Sequence, residues 1–260
     1  MIPKKIHYCW FGRGKKPALV LTCIDSWMRL CPDYELIEWN EDNFDVSSNG
    51  YVLEAYQHKK FAFVSDYVRL WAMYNYGGFY MDTDVEVLKS LDEFLYNEGL
   101  SGFENSSYIQ TGLMGCRENF PLFKELLSYY DEVKFVNDDR TLNLTTNVEI
   151  ITNILLKNGF KPNGKFQIIK GLAIYPQNFF CPNLSLLTDK EYMKETVAIH
   201  YFAGSWKSES VRKRERSWWW KYIISPLSVV SRKLEIYGGR PYKWLLNKTW
   251  GKLLKQISRK

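Results

Sequence analysis

A three-residue apolar run, Phe79-Tyr80-Met81, lies between Gly77-Gly78 and Asp82-Thr83-Asp84. No other stretch restricts the fold so tightly. The glycines end whatever precedes them, because glycine takes the left-handed conformation a helix C-terminus needs. What precedes them is helical: Phe63, Val64, Tyr67, Leu70, Trp71 and Tyr74 recur at helical spacing and define an apolar face. Ser65, Asp66 and Arg69 fall roughly opposite that face, three and four residues apart, within reach of one another. The apolar run itself reads as a short strand aimed into a core. In an extended chain, side chains at i and i+2 point the same way, so Asp82 and Asp84 can converge on one hard cation. Two acids in a turn are more often simply solvated. Here they stand at the rim of a core, where burying charge is costly unless a cation or ligand compensates.

The flanking sequence supplies the rest of an α/β domain. Residues 3–10 read as a first strand before Gly12-Arg13-Gly14, and residues 17–31 as a helix opened by Pro17. Pro32-Asp33 is a turn, and residues 34–39 alternate as a second strand. Strand–helix–strand order predicts a parallel, Rossmann-like start. No G-x-G-x-x-G follows the first strand, which argues against a dinucleotide enzyme. Ligands of open α/β sheets bind at the carboxyl ends of strands, so Tyr8 and Trp10 stand where a base could stack, although such aromatics more often belong to a core.

After Asp84 the spacing predicts a strand at 85–88, a short helix at 91–96 and a strand near 100–103. The stretch 108–115 follows, with Gln110 and Thr111 as its polar members. Helices at 121–131 and 145–158 enclose a polar, mobile link. A strand at 197–199 ends in His200, and a lone histidine is more often structural than a ligand.

The run A-x-x-S-D-x-x-R-x-x-x-x-x-x-x-G-G-x-Y-x-D-x-D, from Ala62 to Asp84, resembles the DXD-containing sugar transferases of glycosyltransferase family 32. That group includes bacterial capsule and O-antigen transferases, yeast mannosyltransferases and, more distantly, the glucosylating clostridial toxins. The resemblance implies an α/β domain of GT-A fold, a Rossmann-like mixed sheet flanked by helices. It also implies a nucleotide-sugar donor, Mn2+ or Mg2+, and retention of anomeric configuration. An I-H-x-x-W-x-G strand at 6–12 resembles the one whose Trp stacks on the nucleobase, which gives the base to Trp10. An H-x-x-x-x-S-W arrangement makes His200 a third metal ligand beside Asp82 and Asp84, with Ser205 and Trp206 closing over the diphosphate. Imidazole suits Mn2+ better than Mg2+.

By the same resemblance Asp66 and Arg69 bind donor-sugar hydroxyls, and Arg69 also serves the departing phosphate. Ser65, Tyr8, Tyr80 and Thr83 complete the donor-contact set, and Gln110 lies at the reaction centre. The family often carries Gly-Pro where this chain has Asn147-Val148, so Asn147 receives no catalytic role.

Composition sets the remaining bounds. The chain has 260 residues, 46% hydrophobic and 17% aromatic, ample for one sizeable core. Five cysteines, an odd number without metal-like spacing, read as buried free thiols in a reducing compartment. The N-terminus lacks the apolar region of a signal peptide, and no run of about 18 apolar residues exists to span a bilayer. A cytoplasmic location is the expectation.

Charge divides the chain in two. Residues 207–260 carry 15 Lys+Arg and 3 Asp+Glu, a balance of +12, whereas residues 1–206 sum to −6. Residues 1–206 are the expected catalytic domain. The tail, basic and Trp-rich with apolar pairs, reads as helices lying on the anionic inner face of the cell membrane. Packing on the core and a nucleic-acid arm are the competing readings, the latter disfavoured. A membrane-bound tail points to a lipid-diphosphate-linked oligosaccharide as acceptor, growing toward a surface polysaccharide. The sugar is a hexose or N-acetylhexosamine, from a UDP-sugar first, with GDP-mannose open. A metal-dependent nucleotide-sugar hydrolase and a non-catalytic, membrane-tethered nucleotide- or glycan-binding module are the alternatives.

Overall fold

The structure, a computed structural model, describes residues 1–204. Ser205, Trp206 and the basic tail expected to bind membrane lie outside the described residues.

The expected strand–helix–strand start is present. β1 (Lys5–Cys9) is followed by α1 (Ala18–Leu30) and β2 (Glu35–Trp39), and β1 pairs parallel with β2 in register from Lys5↔Glu35 to Cys9↔Trp39. Pro17 is the cap before α1 rather than its first residue. α2 (Gly50–Gln57) and α3 (Phe61–Tyr76) come next, and α3 leads through the glycines into β3 (Gly78–Met81), parallel to β1. The turn needs glycine twice over. Gly77 and Gly78 have φ of 59° and 100°, and a Cβ on Gly77 would lie 2.6 Å from the Glu118 amide nitrogen.

Beyond β3 the sheet becomes mixed. β4 (Val85–Val87) is followed by one turn of 3-10 helix at Asp92–Phe94, shorter than the helix expected there, and then by β5 (Gly99–Gly102) and β6 (Leu113–Cys116). α4 (Pro121–Glu132) and α5 (Asn147–Lys157) match the two amphipathic helices predicted. The link between them, expected to be mobile, is instead tied down. Glu54 Oε2 accepts from the Phe135 and Val136 amides at 2.9 Å each, and Phe135 is fully buried. β7 (Gln167–Ile169), β8 (Leu172–Tyr175), the short α6 (Gln177–Phe180) and β9 (Ala198–His200) complete the order.

The main sheet runs β2-β1-β3-β6-β5-β8-β7, and β4 pairs with β9 in a separate two-stranded ribbon. β6 is antiparallel to both β3 and β5, while β5 and β8 are parallel. The carboxyl ends of β1, β3, β5 and β8 therefore share one edge. This is the expected α/β class, a mixed sheet flanked by helices.

Two buried clusters lie on opposite faces of that sheet. Along β3, Phe79 and Met81 join one cluster with Ile6, Tyr8 and, from α1, Trp27. Tyr80 joins the other with side chains of α2, α3, α4 and α5. This is the period-two alternation of a strand buried on both faces. His7 locks β1 to the glycine turn: its Nε2 meets the Gly77 carbonyl at 2.8 Å and its Nδ1 accepts from the Trp39 indole at 3.1 Å. Burial lowers its pKa to about 4, so the ring is neutral and one tautomer serves both partners.

All five cysteines are free and buried. No helix among the described residues is long and apolar enough to cross a membrane.

Candidate active site

α3 is buried on more sides than its apolar periodicity suggests. Asp66 and Arg69, predicted to lie opposite the core-facing stripe, are only 8% and 5% exposed. The helix offers an apolar stripe to the cluster around α2 and α4, and this polar pair to the carboxyl end of β3. Arg69 spends most of its donors on the chain. Its Nη1 donates to the Thr111 carbonyl at 2.8 Å and its Nε to the Ser65 carbonyl at 3.4 Å. Its Nη2 sits 3.1 Å from both Asp66 Oδ1 and Asp82 Oδ1. The guanidinium also lies over the Tyr80 ring, 4.6 Å from its centroid. Arg69 thus has a positioning role, in which one buried cation holds the buried Asp66 and the part-buried Asp82 in place.

Asp82 ends β3. The Tyr80 hydroxyl and Arg69 both donate to its Oδ1, so Tyr80 supports the aspartate from within the core rather than facing a donor. The Asp82 amide donates to the Gly112 carbonyl at 2.7 Å, and Asp82 Oδ2 lies on the Gly112 side. Asp84 pairs with the last strand. Its Oδ1 is 3.3 Å from His200 Nε2, and its Oδ2 accepts from the Ala203 amide at 2.7 Å. β9 brings His200 there because His200 is directly opposite Val85 in the ribbon.

Asp82, Asp84 and His200 each offer a ligand atom, all within 4.8 Å of one another. The three residues named from sequence as metal ligands thus converge, although His200 is 116 positions from Asp84. Two further observations fit a divalent cation. Among the described residues, His200 Nδ1 is buried and makes no hydrogen bond of ordinary geometry, although the Cys181 thiol acts on the ring. A Cβ on Gly112 would lie 2.8 Å from His200 Nδ1 and Cε1 and 3.3 Å from Asp82 Oδ2, so the missing side chain keeps the space between two of the donors open. An oxygen, oxygen, nitrogen set is one a divalent cation can take.

The electrostatics follow from burial and proximity. Burial alone would lower the His200 pKa, but the Asp84 hydrogen bond, the Cys181 thiol and the neighbouring aspartate charges push it up to about 10. Burial opposes ionisation of Asp84 as well. His200 and the Ala203 amide overcome it and hold the carboxyl below its usual range. Asp66 goes the other way. Burial is the largest cause, and with the Asp82 charge it outweighs Arg69 and the Asn147 amide, raising the pKa to about 6.

The other predicted residues are placed less uniformly. Trp10 stands half-buried just past β1, with its indole N–H donating to the Gly14 carbonyl at 2.6 Å and Lys16 over its ring. Tyr8 is buried against Trp27 and donates its hydroxyl to Glu38, which leaves no face for stacking. Ser65 Oγ bonds back to the Phe61 carbonyl one turn earlier. Thr83 is partly exposed between the two aspartates. Gln110, expected at the reaction centre, uses both ends of its amide on the Leu113 backbone, at 2.8 and 3.0 Å. It braces the 110–113 turn that presents Thr111 and Gly112.

Asn147 is a residue the sequence reading passed over. It is 2% exposed, its Nδ2 donates to the Asp66 carbonyl at 2.7 Å, and its Oδ1 accepts from the Tyr130 hydroxyl. With its own amide facing the Asp66 carboxylate, it ties the start of α5 to the middle of α3. Departure from the family's Gly-Pro hid this role. Gly112 had no sequence signal either, since only its contact with His200 marks it.

Residues 17–100, about a third of the chain, match a family model described as "Glycosyltransferase sugar-binding region containing DXD motif". The one Asp-x-Asp in that span is Asp82-Thr83-Asp84. Two curated relatives come from Schizosaccharomyces pombe (strain 972 / ATCC 24843). Inositol phosphoceramide mannosyltransferase 3 is 28% identical over 48% of this chain, and inositol phosphoceramide mannosyltransferase 2 is 30% identical over 49%. The matched segments span only 36% and 38% of those relatives.

Among solved structures, the PaToxG glycosyltransferase superposes with a TM-score of 0.46 at 16% identity, covering 60% of this chain and 68% of that one. A galactosyltransferase in complex with donor and acceptor sugar analogues gives 0.41 at 14%, covering 92% and 98%.

Proposed function

We propose that this chain is a metal-dependent glycosyltransferase of GT-A type. It moves a hexose or N-acetylhexosamine from a nucleoside-diphosphate sugar to an oligosaccharide acceptor, with retention of configuration. The convergence of Asp82, Asp84 and His200 beside an Arg69-braced Asp66 is the observation that carries this reading. Asp82, Asp84 and His200 would hold Mn2+, with Mg2+ as the second choice. When bound, the cation supplies Lewis-acid neutralisation of the diphosphate leaving group.

The chain's own residues do the rest. Arg69 and Tyr80 saturate Asp82 Oδ1, which leaves Oδ2 free on the Gly112 side. Asp66, fixed by Arg69 and Asn147, presents the carboxyl edge that receives donor-sugar hydroxyls. Trp10, at the carboxyl end of β1, is the surface for the base. No carboxylate nucleophile stands out in the sequence, so same-face attack is the favoured retaining route. The transition state is then oxocarbenium-like.

The donor panel begins with UDP-sugars and includes GDP-mannose, because both curated relatives are named mannosyltransferases. The basic tail is assigned to an anionic membrane surface on the cytoplasmic side, and the acceptor is assigned as lipid-diphosphate-linked. Both rest on the +12 balance of residues 207–260.

The test is release of nucleoside diphosphate from the panel with Mn2+, for wild type and Asp84→Ala. Turnover of one donor that EDTA and the substitution both abolish supports the proposal. Absence of both turnover and Mn2+-dependent donor binding overturns it. Turnover indifferent to an acceptor would point to the hydrolase instead.

A further inference from the structure

A second concavity opens on the same sheet edge, at the carboxyl ends of β5 and β8. It has a volume of about 270 Å3, and its walls include Phe103, Asn105, Ser106, Gln177, Asn178 and Tyr192. We propose that it is the acceptor-sugar subsite and takes a neutral pyranose ring; this deepens the transferase reading and rests on it.

Three observations carry the assignment. The first is chemical. The lining has amides, a hydroxyl and aromatic faces, and no Lys, Arg, Asp or Glu side chain. A phosphate or carboxylate would find no counter-charge there, whereas a neutral polyol finds donors, acceptors and a flat apolar face. The volume lies just below the roughly 300–1,000 Å3 of drug-sized pockets, which leaves room for about one sugar ring.

The second is that the polar groups are unspent. Asn105 uses its Oδ1 on the Ser107 and Tyr108 amides, which leaves its NH2 unused. Among the described residues, the side-chain amides of Gln177 and Asn178 make no hydrogen bond. Amides without a partner among the described residues, on the wall of an open concavity, are groups a ligand can satisfy.

The third is position. The groups assigned to the donor lie on α3 and the ends of β1 and β3. The cavity lies across β6 from them, at β5 and β8. The two are linked by contact: Cys181, directly after α6, reaches the Glu104 carbonyl at 3.8 Å and stands against His200. The cavity wall at Phe103 and Asn105 thus flanks Glu104, whose carbonyl Cys181 joins to the metal-ligand cluster.

The probes are the methyl glycosides of glucose, galactose, mannose and N-acetylglucosamine, with binding read by saturation-transfer NMR on the full chain. Wild type is compared with the double variant Gln177→Ala/Asn178→Ala and with Ser106→Trp, which fills the cavity from an exposed wall position. Since the amides removed bond nothing among the described residues, circular dichroism should show both variants folded. At least one glycoside should bind, weaken about five- to tenfold in the double variant and be lost in Ser106→Trp. Mn2+ binding and acceptor-free donor hydrolysis should stay at wild-type level. No glycoside binding, or binding unchanged in both variants, overturns the subsite while leaving donor turnover intact. Glycoside binding without any metal-dependent donor turnover overturns the acceptor assignment together with the transferase reading, and leaves a glycan-binding pocket.

Discussion

Substituting Gly112 by Ala tests whether the space between Asp82 and His200 is built for an ion. Gly112 has no left-handed φ, so alanine meets no backbone objection there and its effect comes from the added methyl alone. That methyl would sit 2.8 Å from His200 Cε1 and Nδ1, where ordinary contact begins at 3.4 Å. The imidazole must retreat by about 0.6 Å or the turn must shift. The ring has little freedom, since it stacks on Phe202 at 4.1 Å and bonds Asp84 at 3.3 Å.

Overpacking of this kind costs roughly 1–3 kcal/mol of stability. A ligand moved by more than about 0.5 Å leaves productive geometry. We therefore expect the Mn2+ dissociation constant, measured by isothermal titration calorimetry, to rise at least about tenfold, or about 1.4 kcal/mol. Gly115→Ala is the control. Its methyl would crowd Phe79 of the neighbouring strand β3 at 3.0 Å, away from the carboxylates, so it should lose stability without losing metal. Wild-type Mn2+ affinity in Gly112→Ala, or an equal loss in Gly115→Ala, would refute the reasoning.

Three further outcomes are expected. Arg69→Met should destabilise the chain by about 3 kcal/mol in urea unfolding, because the buried Asp66 and the part-buried Asp82 lose their shared cation; a change under about 1 kcal/mol would contradict the bracing role. In chelated protein, the His200 pKa raised to about 10 gives stability that is fully present below the unfolded value near 6.5 and is lost as pH rises through 10. Urea midpoints taken from pH 6 to 10 should fall accordingly, and His200→Gln should flatten that slope. Asn147→Ala should cost about 1–3 kcal/mol through the unpaired Tyr130 hydroxyl and Asp66 carbonyl, and Tyr130→Phe in the same background should recover part of it.

Residues 61–84 determined much of this protein in one dimension. Helical spacing, a double-glycine stop and a strand ending in two acids each follow from local rules of backbone conformation, so α3, β3 and the placement of Asp82 and Asp84 were legible without a structure. The early strands, α4 and α5 carried enough periodicity to be read as well. β8 did not: four residues, Leu172–Tyr175, are too few to separate a buried strand from any apolar run, yet β8 lies between β5 and β7.

Tertiary structure alone decided which polar side chains turn inward. Arg69 and Gln110 look alike in sequence as ligand contacts, but Arg69 meets oxygens brought to it by Thr111 and Asp82, and Gln110 folds back on the Leu113 backbone. Asn147 looks like an ordinary helix start until α5 is packed on α3. His200 is opposite Val85 because β9 pairs with β4, and no local propensity encodes a partner so distant. Local sequence fixes backbone shape through short-range sterics; long-range pairing fixes which groups meet, and the metal-ligand geometry depends on that pairing.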